Sequence, residues 1–321
     1  MNESADFVFG PLPSRRLGRS LGVSPIPMKT CNYSCVYCQL GRTDKMTGER
    51  EDRISVEALL CAVKAALSKA KGPIDYVTIA GEGEPTLYKS LDRLVRGIRE
   101  ATDIPVAVIT NGSLLWDADV REALASADLV MPSLDAADKE TFRRVNRPHG
   151  HLNVEQMVEG LVRFRQEFTG RIWMEVMLVK GVNDSLASLR AIADVLADVR
   201  PDRTYLNLPV RPPAERWAVV PDPETVERAR ELLGAEVVEE AEIEAGVMPP
   251  ESSGGDILSI VRRHPMSIQE IERELHHLGT FSVHRLVDDL IAADLLRKVR
   301  HGETDYFVAP EGSYATGLDP E

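Results

Sequence analysis

Short apolar runs rich in β-branched residues alternate along this chain with longer stretches whose apolar positions recur every three or four residues. "IDYVTIA" (74–80), "PVAVIT" (105–110), "DLVMPSL" (128–134), "IWMEVMLV" (172–179) and "RTYLNLPV" (203–210) have the length and composition of buried strands. "SLGVSPIPM" (20–28) is a candidate first strand, although its two prolines remove ladder donors. Between these runs, "SVEALLCAVKAALSKAKG" (55–72) reads as a helix with Ser55 as N-cap and Gly72 as its terminal glycine. "NVEQMVEGLVRFRQEF" (153–168) and "DSLASLRAIADVLADV" (184–199) likewise place apolar residues on one helical face. Repeated strand–helix units predict an α/β fold with a parallel sheet. Six strands predict a partial or closed barrel, with a doubly wound open sheet as the competing architecture. Both gather ligands at the carboxyl ends of the strands.

The pattern breaks at "AEVVEEAEIEAGVMPPESSGG" (235–255), which is rich in glutamate and ends in Pro-Pro and Gly-Gly, as a linker does. Three short helical patterns follow, "DILSIVRRH", "SIQEIERELHH" and "SVHRLVDDLIAAD", then a hairpin-like "LLRKVRHGETDYFVA" turning at His301–Gly302. Three helices and a two-stranded wing predict a winged-helix-like domain. The expected division is a core over 1–235, a linker over 236–255 and this small domain over 256–321.

Composition narrows the classes. With 43% hydrophobic and 28% charged residues, the 321-residue chain can bury a sizeable core. It has no run of eighteen apolar residues, and "MNESADFVFGPLPSRR" lacks the basic-then-apolar order of a signal peptide, so the expected location is cytoplasmic. A formal net charge of −13 argues against an extensive nucleic-acid footprint. Residues 256–309 carry seven Lys or Arg against nine Asp or Glu, so the small domain adds no basic face.

Three of the four cysteines, Cys31, Cys35 and Cys38, fall within "PMKTCNYSCVYCQLGRT" (27–43). Thiolates at such spacing suit zinc or an iron–sulfur cluster. Structural zinc needs a fourth ligand. The sources are Cys61, on the apolar side of its helix and read as a small core residue, and seven histidines, none nearer in sequence than His149. A four-iron cluster held by three cysteines leaves one iron open for a small molecule. The count of three points to an open site.

The Cys-x3-Cys-x2-Cys spacing, with Tyr37 just before the third cysteine, resembles the radical S-adenosylmethionine (radical SAM) superfamily over roughly residues 20–235. "GEGEPTL" (81–87) resembles that family's Gly-Gly-Glu-Pro segment: Gly83, Glu84 and Pro85 match, and Glu82 stands where the first glycine would be. The N-terminal text, with "MLVKGVND" and "LNLPVRPPAE", is similar to a branch of small iron–sulfur oxidoreductases related to wyosine-type tRNA-modifying enzymes.

The resemblance implies a partial (βα)6 TIM-like barrel with the cysteine loop after its first strand. Cys31, Cys35 and Cys38 would hold a 4Fe-4S cluster, and S-adenosylmethionine (SAM) would chelate its open iron. Tyr37, Gly83 and Glu84 would lie at the cofactors, with Gly83 and Glu84 at the SAM amino group. Asn111 in "TNGSL" and Ser133 and Asp135 in "PSLDA" would contact ribose and methionine. The implied activity is reductive cleavage of SAM to a 5′-deoxyadenosyl radical that takes hydrogen from an unidentified substrate, with flavodoxin or ferredoxin as electron donor. The alternatives are modification of a tRNA nucleoside and an iron–sulfur-sensing nucleic-acid-binding regulator.

Plainer readings stand beside these. Glu84 is also a helix-start anion, Asn111 a turn residue beside Gly112, and Ser133 and Asp135 caps of the next helix. Arg15, Arg16 and Arg19 read as a solvated group or as an anion site for the substrate. Arg143, Arg144 and Arg147 read as complements of a helix C-terminus, and Glu175 and Asn183 flank a strand without an assigned role. Because all cofactor candidates lie between 31 and 135, the small domain is expected to be dispensable for radical formation.

Overall fold

A computed structural model describes residues 7–238 and 254–310; most of the expected linker lies outside the described residues. An antiparallel hairpin, β1 (Val8–Ser14) and β2 (Gly18–Val23), opens the chain. β1 carries Pro11 and Pro13, which mask it in the sequence; at the sheet edge their missing N–H groups are tolerated. A two-residue parallel ladder, β3 (Thr30–Cys31) with β4 (Lys45–Met46), lies within the loop after β2. Helices α1 (Val56–Lys69), α2 (Leu91–Ala101), α3 (Ala118–Leu124), α4 (Lys139–Val145), α5 (Val154–Glu167), α6 (Leu186–Val199) and α7 (Pro223–Leu233) separate the remaining strands. Those strands are β5 (Tyr76–Ile79), β6 (Val106–Thr110), β7 (Leu129–Pro132), β8 (Arg171–Met177), β9 (Arg203–Asn207) and β10 (Glu236–Val237).

The sheet runs β1-β2-β5-β6-β7-β8-β9-β10, parallel from β2 onward. A doubly wound sheet reverses its strand order at a switch point. Among the described residues this order never reverses, and β1 and β10 remain as edges, so the sheet they form is an open, singly wound one. Alternate residues serve two cores. Val106, Val108, Val130, Ile172, Met174 and Leu206 pack toward the helices, while Ala107, Leu129, Met131, Trp173 and Tyr205 join Leu17 on the opposite face. Apolar residues on both faces are why the strands read as unbroken hydrophobic runs.

The helices start where the sequence marks them. Ser55, Asn153 and Ser185 accept backbone N–H groups at the starts of α1, α5 and α6. α1 ends at Lys69 with Ala70 as its cap, and Gly72, at φ +89°, serves the turn beyond. Cys61 is exposed: α1 buries Val56, Leu59 and Val63, and Cys61 lies off that stripe rather than in the core. Ser133 and Asp135 do not cap α4; Asp138 does, accepting from Glu140 N and Thr141 N.

From residue 254, α8 (Gly254–Val261), α9 (Ile268–Glu274) and α10 (Thr280–Ala292) pack on a three-stranded sheet, β11 (Met266–Ser267), β12 (Arg297–His301) and β13 (Thr304–Val308), in the order β11-β13-β12. The β12–β13 hairpin turns at Gly302–Glu303, one residue later than expected. Val261, Ile271, Leu275, Val283, Val287 and Phe307 form its own core. This unit meets the segment that follows β9 through an Arg211–Glu270 ion pair and hydrogen bonds from Tyr306 Oη to the Val210 carbonyl (3.1 Å) and between His301 and the Pro209 carbonyl (2.9 Å). Among the described residues no helix is long and apolar enough to cross a membrane.

Gly160 sits inside α5, where a Cβ would lie 2.3 Å from Trp116 N and 2.6 Å from the Leu115 carbonyl carbon. Helix propensity alone favours alanine there by about 1 kcal/mol. The contact is with backbone that cannot swing away, so Gly160→Ala is expected to destabilise by about 1–3 kcal/mol in urea unfolding. A stabilised variant would show that α5 does not press on the 111–117 loop as described.

Candidate cofactor site

The cysteine loop hangs from the carboxyl end of β2 and is held by supports from distant parts of the chain. Lys29 adopts φ +57°, its N–H donates to the Glu82 carbonyl (2.5 Å), and its buried ammonium pairs with Asp44 (3.0 Å). Tyr33 is buried edge-on against Phe142, with ring centroids 5.4 Å apart. Ser34 N and Val36 N donate to the Asn146 and Val145 carbonyls, both at 3.0 Å, which fastens the loop to the end of α4. Val36 O accepts from Glu215 N (2.9 Å), and the buried Glu215 carboxylate takes two hydrogen bonds from Arg42, at 2.9 and 3.1 Å, and a further one from Arg147.

Two of the three sulfurs face amide donors. Cys31 Sγ accepts from Tyr33 N (3.4 Å) and Asn111 Nδ2 (3.8 Å), and Cys35 Sγ accepts from Asn146 Nδ2 (3.5 Å). All three cysteines are free and partly exposed. The surrounding protein nevertheless pushes their ionisation up, chiefly by desolvation. Glu84 adds to this for Cys31 and Asp135 for Cys35. As bare thiolates they are disfavoured; ligation to a cationic centre is what removes such protons.

The strand-end residues meet this loop. Glu84, 2% exposed, accepts through Oε1 from Thr86 N (3.0 Å), Thr86 Oγ1 (2.6 Å) and Thr110 Oγ1 (2.6 Å), and through Oε2 from Asn111 N (2.7 Å). It also caps the short 3-10 turn Pro85–Leu87, so the plain and the functional readings meet in one residue. Burial raises its carboxyl, and the four donors pull it part of the way back. Gly83 lies so close to the cysteine loop that a Cβ would fall 1.8 Å from the Thr30 carbonyl oxygen. Among the described residues, no donor reaches the Gly83 carbonyl. Asn111 turns Oδ1 to Ser113 N (2.9 Å) and Nδ2 to Asn32 Oδ1 (2.7 Å) as well as to Cys31.

Asp135 is buried and accepts from Tyr37 Oη, from Asn146 Nδ2 (2.7 Å) and from Met177 N (2.8 Å). Burial raises its carboxyl too, against those donors. Ser133 pairs with Glu175 across β7 and β8, and its N–H donates to Thr110 O (3.1 Å). Arg16 reaches across the sheet opening to an ion pair with Glu175 and a hydrogen bond to Asn207 (3.2 Å), so it is neither a solvated arginine nor unengaged. Asn183, fully buried, donates to the Asp135 and Met177 carbonyls.

The structure therefore gathers Cys31, Cys35, Cys38, Tyr37, Gly83, Glu84, Asn111, Ser133 and Asp135 at one end of the sheet. Asn32, Thr110, Asn146 and Glu215 are supports that sequence reasoning missed. "RRVNRPH" and "LNLPVRPPAE" contain two of them, but nothing in either segment names its partner. The C-terminal unit also reaches this end of the sheet: Arg263 pairs with Glu82 (3.0 Å), and His264 Nδ1 lies 3.2 Å from Gln39 Oε1, one residue past Cys38. Among the described residues, no three His, Cys, Asp or Glu side chains gather about a point where a single ion could sit. Three half-buried thiols, two of them with amide donors on sulfur, suit a larger inorganic group that spans them.

The profile of the Radical SAM superfamily matches residues 26–192, and the chain belongs to that superfamily. It is a radical SAM enzyme, using a 4Fe-4S cluster and SAM, and such an enzyme needs a reductant and a substrate. A UPF0026 protein of Methanocaldococcus jannaschii is 37% identical over 281 residues, 85% of this chain and 87% of that protein. A Brachyspira hyodysenteriae protein named GTPase Obg is 40% identical over 271 residues, 82% of this chain; this chain spans 39% of that protein's length. A radical SAM methyltransferase from Sphaerobacter thermophilus shares the fold, with a TM-score of 0.53 at 20% identity over 68% of this chain and 66% of that one.

Glu215 gives a test of the loop supports. Burial pushes its carboxyl up, but the hydrogen bonds from Arg42 and Arg147 outweigh that and hold it below the ordinary range. A depressed carboxyl contributes stability that is present above the unfolded pKa, about 4.3, and is lost as pH falls through the folded value. Glu215→Gln is expected to cost about 1–3 kcal/mol near neutral pH, because its arginines are partly exposed, and to flatten the loss of stability in acid. Thermal melts from neutral pH to pH 3 measure both; an acid profile identical to wild type would remove Glu215 from the account.

Proposed function

We propose that Cys31, Cys35 and Cys38 hold the cluster by three of its irons and that SAM fills the remaining position against Gly83, Glu84, Asn111, Ser133 and Asp135. The observation that carries this reading is Asn111, whose side chain reaches Cys31 Sγ while its backbone N–H binds Glu84. One residue thus ties the cysteine loop to the segment that resembles the family's SAM motif. When bound, the cofactors supply one-electron cleavage of a sulfonium carbon–sulfur bond and a 5′-deoxyadenosyl radical for hydrogen abstraction.

The chain's own residues bind and orient. The Gly83 carbonyl and Glu84 Oε2, which carries a single partner, offer acceptors for the SAM ammonium. Tyr37 and Asn146 fix Asp135, and Asn146 bonds Cys35 as well, so the methionine and cluster sides of the site move as one body. In the same reading, the three helices and β-hairpin after residue 254 form a winged-helix-like unit joined to the core by the acidic linker. The enzyme works in the cytoplasm with a flavodoxin- or ferredoxin-like donor on a substrate still to be identified.

Anaerobic reconstitution is expected to give about four irons and four sulfides per chain, a ratio set by the cluster type. With a reductant, the product should form 5′-deoxyadenosine from SAM. Replacing Cys31, Cys35 and Cys38 together by Ala should abolish the iron and the product; one zinc without labile sulfide would sink the assignment. Glu84→Gln should keep the iron and weaken SAM binding by about 1.5–3 kcal/mol, since a charged acceptor facing an ammonium is lost. Equal SAM affinity in that variant would move the amino-group contact off Glu84.

A further inference from the structure

Glu82 occupies the place where the family segment begins with glycine, and the structure gives that departure a partner. Arg263, just past the end of α8, is 8% exposed and brings Nη2 within 3.0 Å of Glu82 Oε1. Its guanidinium lies over the Phe9 ring, 4.5 Å from the centroid. Phe9 in turn lies against Gly22 of β2, where a Cβ would come within 2.2 Å of the ring. The N-terminal hairpin therefore leaves room, through a glycine, for a ring that seats an arginine from the far end of the chain. An arginine stacked on a ring and paired with a carboxylate away from water has little freedom left.

The segment after Glu82 is held from the opposite side. Glu82 O accepts from Lys29 N (2.5 Å), Glu82 N donates to Ser24 Oγ (3.3 Å) and Glu84 N donates to Thr30 O (3.1 Å). Gly83 is pressed on Thr30 too closely for any side chain. Glycine at 82 would keep these backbone contacts and lose the carboxylate. Glutamate adds an anchor that belongs to another folding unit.

We propose that Arg263 is a positioning residue for SAM: acting through Glu82, it fixes the 82–84 backbone, so the C-terminal unit completes the SAM site. This rests on the reading that Gly83 and Glu84 face SAM. In this proposal the effect of Arg263 on SAM passes through its ion pair with Glu82. A merely structural pair would hold the small unit in place and leave SAM affinity unchanged.

The test uses the full chain, reconstituted anaerobically, with SAM itself as the probe. Equilibrium dialysis gives the SAM Kd, metal analysis the iron content, and electron paramagnetic resonance the change that SAM makes in the reduced cluster's spectrum. Arg263→Ala is expected to leave the iron unchanged, raise the SAM Kd about tenfold and diminish the spectral change, the loss expected when one well-placed charged contact no longer orders a binding segment. Arg263→Lys should recover part of the affinity, because an ammonium meets Glu82 without reproducing the stack. Glu82→Gln should act in the same direction, and the double variant should be little worse than the worse single one.

Should Arg263→Ala not fold, Arg263→Lys and Glu82→Gln carry the same comparison. Unchanged Kd and spectrum in the folded variants overturn the proposal, as does loss of iron in step with SAM binding, which would put the effect on the cysteine loop. Gly83→Ala separates the two levels. If it raises the Kd while the Arg263 variants do not, the positioning role alone fails; if none of them changes the Kd, the reading of the 82–84 segment fails with it.

Discussion

A carboxylate buried where water cannot reach it must be satisfied by the protein, and the site is organised around one such group. Glu84 draws donors from its own turn, from the end of β6 and from the loop beyond it. Thr110 and Asn111 can supply those donors only if β5 and β6 end side by side, which the parallel pairing of Val77–Ile79 with Val106–Val108 guarantees. Asn111, once fixed by its backbone, has its side chain free to reach the cysteine loop. The order of causes runs from strand register, to a satisfied carboxylate, to a placed amide, to a placed sulfur.

Two more buried carboxylates surround the same loop, and each is satisfied differently. Asp135 relies on a phenol, an amide and a backbone N–H, whereas Glu215 relies on two guanidiniums. The first two raise the thiols near them by adding negative charge to a poorly hydrated place, while the third sits in its own cationic shell. The candidate site is thus crowded with groups that are or would become anions. In the proposed reading, iron and the SAM ammonium and sulfonium bring the opposite charge to it.

The sheet was legible because its strands are apolar on both faces, so "PVAVIT" and "DLVMPSL" need no partner to be recognised. The cysteine loop and the candidate residues from Gly83 to Asp135 were legible because resemblance fixes their order. β1 was not, since Pro11 and Pro13 argue against a strand unless its edge position is known. Cys61 was misplaced by a small error of helical phase. Asn146 and Glu215 left no signal because loop amides and carboxylates follow no period, and Glu215 finds its arginines 68 and 173 residues away. The Arg263–Glu82 pair was hidden for the same reason. Contacts between folding units are written in geometry, not in local pattern.

The long reach of Glu215 also sets a schedule. At ordinary elongation rates of about 5–20 residues per second, the 173 residues between Arg42 and Glu215 take roughly 9–35 s to synthesise. During that interval the cysteine loop has been made while its Glu215 support does not yet exist. The loop acquires its final shape only when most of the sheet is complete. If these thiols hold the cluster as proposed, the place that receives it is finished only after Glu215 has been made.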